Sequence, residues 1–127
     1  MKPAYLDTQT AVWLHAGALR RLSRDAKREI ERSDLVISPM ALLEMEYLRA
    51  RKRIKPDSLA LYTYLHTTFG LTLCNLPFAA VIGEAIHLSW TDDPFDRIIV
   101  AQAKANHEAS LITPDDRILE NYPPAVW

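Results

Sequence analysis

One cysteine, three glycines and no long apolar run narrow the field before any motif is read. The lone thiol, Cys74, has no internal disulfide partner and no neighbouring ligand for a zinc site, so it reads as a small buried hydrophobe. Three isolated glycines exclude a P-loop or a dinucleotide-binding fingerprint, which need several at fixed short spacing. The four histidines, His15, His66, His87 and His107, contain no i, i+4 pair; this argues against zinc and leaves them as surface or packing residues. A membrane span requires about 18 uncharged apolar residues in a row, and none is present. The N-terminus also lacks the basic and then apolar pattern of a secretory signal, so a cytoplasmic protein without membrane partners is expected.

What is there is globular in kind, with 49% apolar and 24% charged residues. A length of 127 residues suits a single domain spanning 1–127, large enough to bury roughly two thirds of its unfolded surface in one core. The net charge of −1 hides an asymmetry, because residues 1–70 carry twelve Lys and Arg against eight acids, whereas 91–127 carry three against seven. Much of the excess is the run Arg49, Arg51, Lys52, Arg53 and Lys55. Such a run meets a nucleic-acid backbone or forms a solvated helix end, and the sequence supports both readings. Trp13, Trp90 and Trp127 read as core or interface residues rather than base-stacking groups.

Strand and helix signals alternate along the chain. Lys2 to Leu6 predicts a strand, and Asp7-Thr8 caps a helix to about Ala16. Helix Ser23 to Ser33, strand Asp34 to Ile37 and a helix opened by Ser38-Pro39 follow, the proline sitting at its first turn. Lys55-Pro56-Asp57-Ser58 opens a helix that ends near Gly70. A strand at Thr72 to Leu76, a helix at Phe78 to Leu88 and a helix from Asp93-Pro94 to about Asn106 come next. Strand Ser110 to Thr113, a short helix at Pro114 to Asn121 and an extended Ala125 to Trp127 finish the chain. This alternation predicts an α/β fold, a parallel sheet of four to five strands between helical layers, with a ligand crevice at the carboxyl ends of the strands.

Four carboxylates stand where that topology brings chain segments together: Asp7 after the first strand, Glu44 in a helix, Asp96 at a helix start and Asp115 after the strand Leu111-Ile112-Thr113. Converging acids do not all stay ionised without cations, which points to one or two Mg²⁺ or Mn²⁺ ions and to metal-dependent phosphodiester chemistry. Taken singly, Asp7 and Asp93 are explained by helix capping, and the pairs Asp93/Asp96 and Thr113/Asp116 have capping-box spacing. Glu44 resists that explanation. On a helical wheel it projects from the apolar side, between Met40 and Leu48, with no lysine or arginine one turn away, while Glu46 faces Arg49. Asp96 repeats the pattern, sharing its side with Ile99, Val100 and Ala103.

These segments carry a resemblance. Tyr5-Leu6-Asp7-Thr8-Gln9-Thr10 with Trp13, Ile37 to Glu44, Asp93-Pro94-Phe95-Asp96-Arg97 running to Ala103, and Leu111 to Asp115 closely resemble, in order and spacing, the PIN-domain ribonucleases, above all the VapC-like toxins of bacterial type II toxin–antitoxin modules. The resemblance covers essentially the whole chain and implies a PIN-like three-layer sandwich. It implies an endoribonuclease in which Asp7, Glu44, Asp96 and Asp115 hold Mg²⁺ or Mn²⁺, cutting RNA to leave 5′-phosphate and 3′-hydroxyl ends. Asp93 and Asp116 become auxiliary acids, and Thr8, Ser38 and Thr113 candidates for orienting water or carboxylates. Arg97 is a candidate phosphate contact or a partner of Asp93. Gln9 departs from the histidine frequent in this group.

The resemblance also implies a homodimer held inactive by an antitoxin protein that sends an arginine towards the acids. Leu59 to Leu65, apolar nearly all round, with Met45, Tyr47 and Leu48, offers surplus apolar surface for such a helix. Two alternatives differ in class. An acid-pocket phosphohydrolase or receiver-like domain needs an aspartate nucleophile with Asp or Thr two places on and a lysine near the last strand, and neither Asp7-Thr8-Gln9 nor Leu111 to Asp115 supplies them. A catalytically silent RNA- or protein-binding module is expected to have lost a member of the quartet, and all four are present.

Overall fold

A computed structural model describes residues 1–127. Five strands form one parallel sheet: β1 (Pro3–Leu6), β2 (Asp34–Ile37), β3 (Thr72–Leu73), β4 (Ser110–Ile112) and β5 (Ala125–Val126). Seven helices surround it: α1 (Thr8–Ala16), α2 (Arg24–Arg32), α3 (Pro39–Ala50), α4 (Ser58–Phe69), α5 (Phe78–Ala85), α6 (Pro94–Ala105) and α7 (Asp116–Asn121). A 3₁₀ turn at Leu19–Arg21, unsigned in the sequence, links α1 to α2.

The sheet order is β3-β2-β1-β4-β5, with Leu6 opposite Ile37 on one side and Ile112 on the other. The chain therefore builds outward from β1 in one direction, then returns to build β4 and β5 on the other side. Between β1 and β4 the strand order reverses, which is where open α/β sheets leave a crevice at their carboxyl ends. Ala4, Tyr5, Leu6, Leu111 and Ile112 are fully buried, as expected for central parallel strands covered on both faces. Helices α1, α3 and α4 pack on one another, α6 packs on α3, α5 and β4, and α2 lies against β4 and β5.

Local chemistry sets most boundaries. Asp7, Ser23, Ser38, Asp57, Asp93 and Asp115 each cap a helix with a side-chain oxygen. Gly70 ends α4 at φ 74°, a left-handed conformation that a side chain disfavours. Three expectations need correction. The strand predicted over Thr72 to Leu76 pairs only through Leu73, because it is an exposed edge strand that runs straight into Pro77, with the Cys74 N–H making a last bond to the Ile37 carbonyl at 2.8 Å. Helix α5 stops at Ala85 and is followed by a turn at Ile86 and His87 before Leu88. The cap of α7 is Asp115 and not Thr113, so the helix begins at Asp116.

The apolar surplus also divides. Met45, Leu61 and Leu65 are fully buried, whereas Leu59 and Tyr64 on α4 and Tyr47 on α3 stay exposed. Cys74 is buried as expected and touches the Tyr5 hydroxyl at 3.1 Å.

Candidate active site

Asp7 follows β1 directly and caps α1, so the strand end and the helix start together fix it. Its N–H donates to the Ile112 carbonyl across the β1/β4 junction (3.1 Å), and the Thr10 hydroxyl donates to the same carbonyl (2.7 Å). Its carboxylate is 6% exposed and doubly held, Oδ1 accepting from the Thr8 N–H (2.8 Å) and Oδ2 from the Thr113 hydroxyl (2.5 Å). Thr113 also accepts from the Asp115 N–H at 3.1 Å, so one buried hydroxyl locks together the ends of β1 and β4. The Thr8 hydroxyl turns the other way and donates to Glu44 Oε1 (2.5 Å).

Glu44 comes from the second turn of α3, Asp96 from the first turn of α6, and Asp93 from the cap before α6. Carboxylate oxygens of Glu44, Asp93 and Asp96 lie within 4.8 Å of one another. Asp7 and Asp115 line the same cavity, of about 310 Å³, together with Gln9 and Leu48. None of the five is ion-paired with a lysine or arginine.

The electrostatics follow from this crowding. Desolvation raises the Asp7 carboxyl above the ordinary carboxylate range against the hydrogen bonds from Thr113 and Thr8, and Asp115 and Asp93 add repulsion. Glu44 is likewise raised by burial, opposed by its Thr8 hydrogen bond and reinforced by Asp7, Asp93 and Asp115. Asp96 has no such hydrogen bond. Burial, then repulsion from Asp7, Asp93, Asp115 and Glu44, pushes it up to about 8. A hard divalent cation suits this all-oxygen donor set, since it replaces the missing positive charge.

The other expected site residues separate. Asp93, expected as an auxiliary acid, caps α6 through the Phe95 and Asp96 N–H groups (2.8 and 3.3 Å), and its carboxylate lies with those of Glu44 and Asp96. The Asp93/Asp96 capping box does not form, because the Asp93 N–H donates to the Thr91 hydroxyl (3.1 Å). Asp116 is exposed on α7 and lies outside the cavity. The buried Ser38 hydroxyl accepts from the Met40 N–H and contacts no site carboxylate. Arg97 forms no ion pair with Asp93; its Nε donates to the Leu88 carbonyl (2.8 Å) and ties α6 to the turn after α5. Glu46 faces Arg49 as expected (3.4 Å) and also accepts from the Ser58 N–H at the start of α4 (2.9 Å). The Thr10 bond to the Ile112 carbonyl is not legible in the sequence, because a threonine inside a helix carries no signal of a carbonyl partner on a distant strand.

A family model described as the PIN domain matches residues 4–123. The chain belongs to the PIN domain family. Its fold is shared by solved structures at low identity. One is VapBC2 from Rickettsia felis, bound to a DNA fragment from their promoter, at 15% identity and a TM-score of 0.61, with 98% of this chain and 96% of that chain covered. Another is FitAcB from Neisseria gonorrhoeae, at 19% identity and a TM-score of 0.50, with the same coverage. A search of curated proteins finds no match. Within the PIN domain, the acidic cavity lies at the β1/β4 reversal point, at the carboxyl ends of both strands. No helix of this PIN domain is long and apolar enough to cross a membrane.

Proposed function

We propose that this PIN domain, one domain over residues 1–127, is a Mg²⁺- or Mn²⁺-dependent endoribonuclease acting as the toxin of a type II toxin–antitoxin module in the cytoplasm. The observation that carries the reading is the group of Glu44, Asp93 and Asp96 oxygens within 4.8 Å of one another, uncompensated by any side-chain cation, in a cavity shared with Asp7 and Asp115. Asp7, Glu44, Asp96 and Asp115 would hold the metal, with Asp93 as a fifth carboxylate. A divalent ion held by these carboxylates would supply water activation and offset charge on the phosphoryl and leaving oxygens.

The chain's own residues provide the frame. Thr113 and the Thr8 N–H fix the Asp7 carboxylate in one orientation, and the Thr8 hydroxyl sets Glu44, so a single helix start positions acids from two elements. No side chain is required as a covalent nucleophile, and the products carry 5′-phosphate and 3′-hydroxyl ends. The partners are an RNA substrate, a second copy of the chain and an antitoxin whose helix lies on the exposed apolar surface of α4 at Leu59 and Tyr64. The VapBC2 pair from Rickettsia felis, with its shared fold, supports the antitoxin.

Single-stranded RNA incubated with the purified protein is expected to be cut in Mn²⁺, to survive in chelator and to be cut again when Mn²⁺ is restored. Undiminished cleavage by Asp96→Asn protein in saturating chelator refutes the reading.

A further inference from the structure

Beside the acidic cavity stands a feature that metal chemistry does not use. Tyr47, three residues after Glu44 on α3, is 44% exposed. It meets Phe95 of α6, with ring centroids 5.5 Å apart and planes tilted by 47°. The Arg51 guanidinium also lies over the ring, 4.0 Å from its centroid. Both elements that contribute rings also contribute acids: Phe95 sits between Asp93 and Asp96, and Leu48, next to Tyr47, lines the acidic cavity.

We infer that Arg51, Tyr47 and Phe95 form a stacking subsite for a nucleobase of single-stranded RNA, next to the bond that is cut. The inference rests on the nuclease reading and adds to it where the strand is gripped. Packing between α3 and α6 accounts for Phe95 against Tyr47. It does not account for a planar cation lying over the ring, since Arg51 is exposed and has no carboxylate partner. Guanidinium groups and bases are both flat, and both bind the π-face of an aromatic ring. A base takes the place of the guanidinium on Tyr47, and the displaced Arg51 turns to the adjoining phosphate, where it neutralises charge. Stacking of this kind accepts any base, so the subsite fixes the position of the strand relative to the acids rather than its sequence.

The test uses the full-length protein with Ca²⁺ in place of Mn²⁺ and a short fluorescein-labelled single-stranded RNA carrying one 2-aminopurine. Expected for Tyr47→Ala is about tenfold weaker binding with loss of 2-aminopurine quenching, while Mn²⁺ affinity and sedimentation behaviour stay as in wild type. Tyr47→Phe, which keeps the π-face, binds and quenches like wild type. Arg51→Gln gives a smaller loss and a shallower salt dependence. Wild-type affinity and quenching in Tyr47→Ala overturn the subsite and leave the nuclease reading standing. Binding that falls only together with a change in sedimentation also overturns it, because the ring then belongs to an interface between protein chains. A wild-type protein that binds no RNA in any divalent metal removes both readings.

Discussion

Asp96 concentrates the energetics of the site, being inward, unsupported by a hydroxyl and surrounded by four other acids. Its native pKa of about 8 lies above the ordinary carboxylate value, so between roughly pH 4 and pH 8 the native state keeps a proton that the unfolded state has released. The native state binds more protons, and stability must fall as pH rises through that window; Asp7 and Glu44, also raised, act in the same direction. Metal-free protein is therefore expected to melt lower at pH 8 than at pH 5. Asp96→Asn should flatten this dependence and stabilise the metal-free fold at pH 8 by about 2 kcal/mol, less than the full linkage value because the carboxyl is partly solvated. Thermal melts in chelator at both pH values measure it, and equal wild-type stability at the two would contradict it. Thr113 acts on the same charges from behind. Thr113→Val removes the donor to Asp7 Oδ2 and the acceptor for the Asp115 N–H, with an expected loss of about 10–100-fold in Mn²⁺ affinity and a stability cost of about 1–3 kcal/mol. Calorimetric titration with Mn²⁺ reads the first quantity and urea unfolding the second.

Among the elements, α3 joins the acidic cavity to the basic run. Glu44 lies on it, Arg49 is engaged by Glu46, and Arg51, Lys52 and Arg53 are exposed at its end. If those three meet RNA phosphates, replacing all of them with Ala should lower the slope of log affinity against log salt by about 2, at roughly 0.7 per phosphate on a single strand. Mn²⁺ affinity should not change. A slope equal to wild type would assign the run to solvent. Further along, α4 depends on Asp57 and Gly70 for its ends. Its outward Leu59 has no such role, and Tyr64 stays half exposed beyond an edge contact with His15 (ring centroids 5.2 Å), which is why this helix is the proposed seat of the antitoxin.

For the whole molecule, metal and partner are coupled through charge. A divalent cation that binds only the folded state should raise its stability by about 2.7 kcal/mol at a hundred times its dissociation constant. Relief of the carboxylate repulsion should make the effect larger at pH 8 than at pH 5. An inhibitor that places an arginine near the acids competes for the same field. Co-expression with the small protein encoded next to this chain is expected to give a complex without nuclease activity, whose inhibition weakens as Mn²⁺ rises. A free, fully active protein from that co-expression would rule out the inhibitor.

Capping residues and hydrophobic period were enough to place the α-helices to within a few residues, because both are local: Ser23, Ser38, Asp57 and Asp93 stand at the helix starts they signal, whereas the 3₁₀ turn at Leu19–Arg21, the end of α5 and the start of α7 carried no such signal. The extent of β3 was not legible, since a two-residue edge strand depends on its neighbour β2 more than on its own side chains. The acids themselves were legible as residues out of place, with Glu44 lacking any cation within a helical turn. Their convergence was not, as it depends on the strand order β2-β1-β4, which brings Asp7 and Thr113 together across 106 positions of sequence. Asp93 illustrates the limit: its cap role could be read from the Asp-Pro step, but its approach to Glu44 is set by how α6 packs on α3. The sequence by itself determined which groups were available and where most helices began, because capping and periodicity act over a few residues. Only the tertiary structure decided which carboxylates share a cavity, because that distance is set by sheet order and helix packing between segments far apart in the chain.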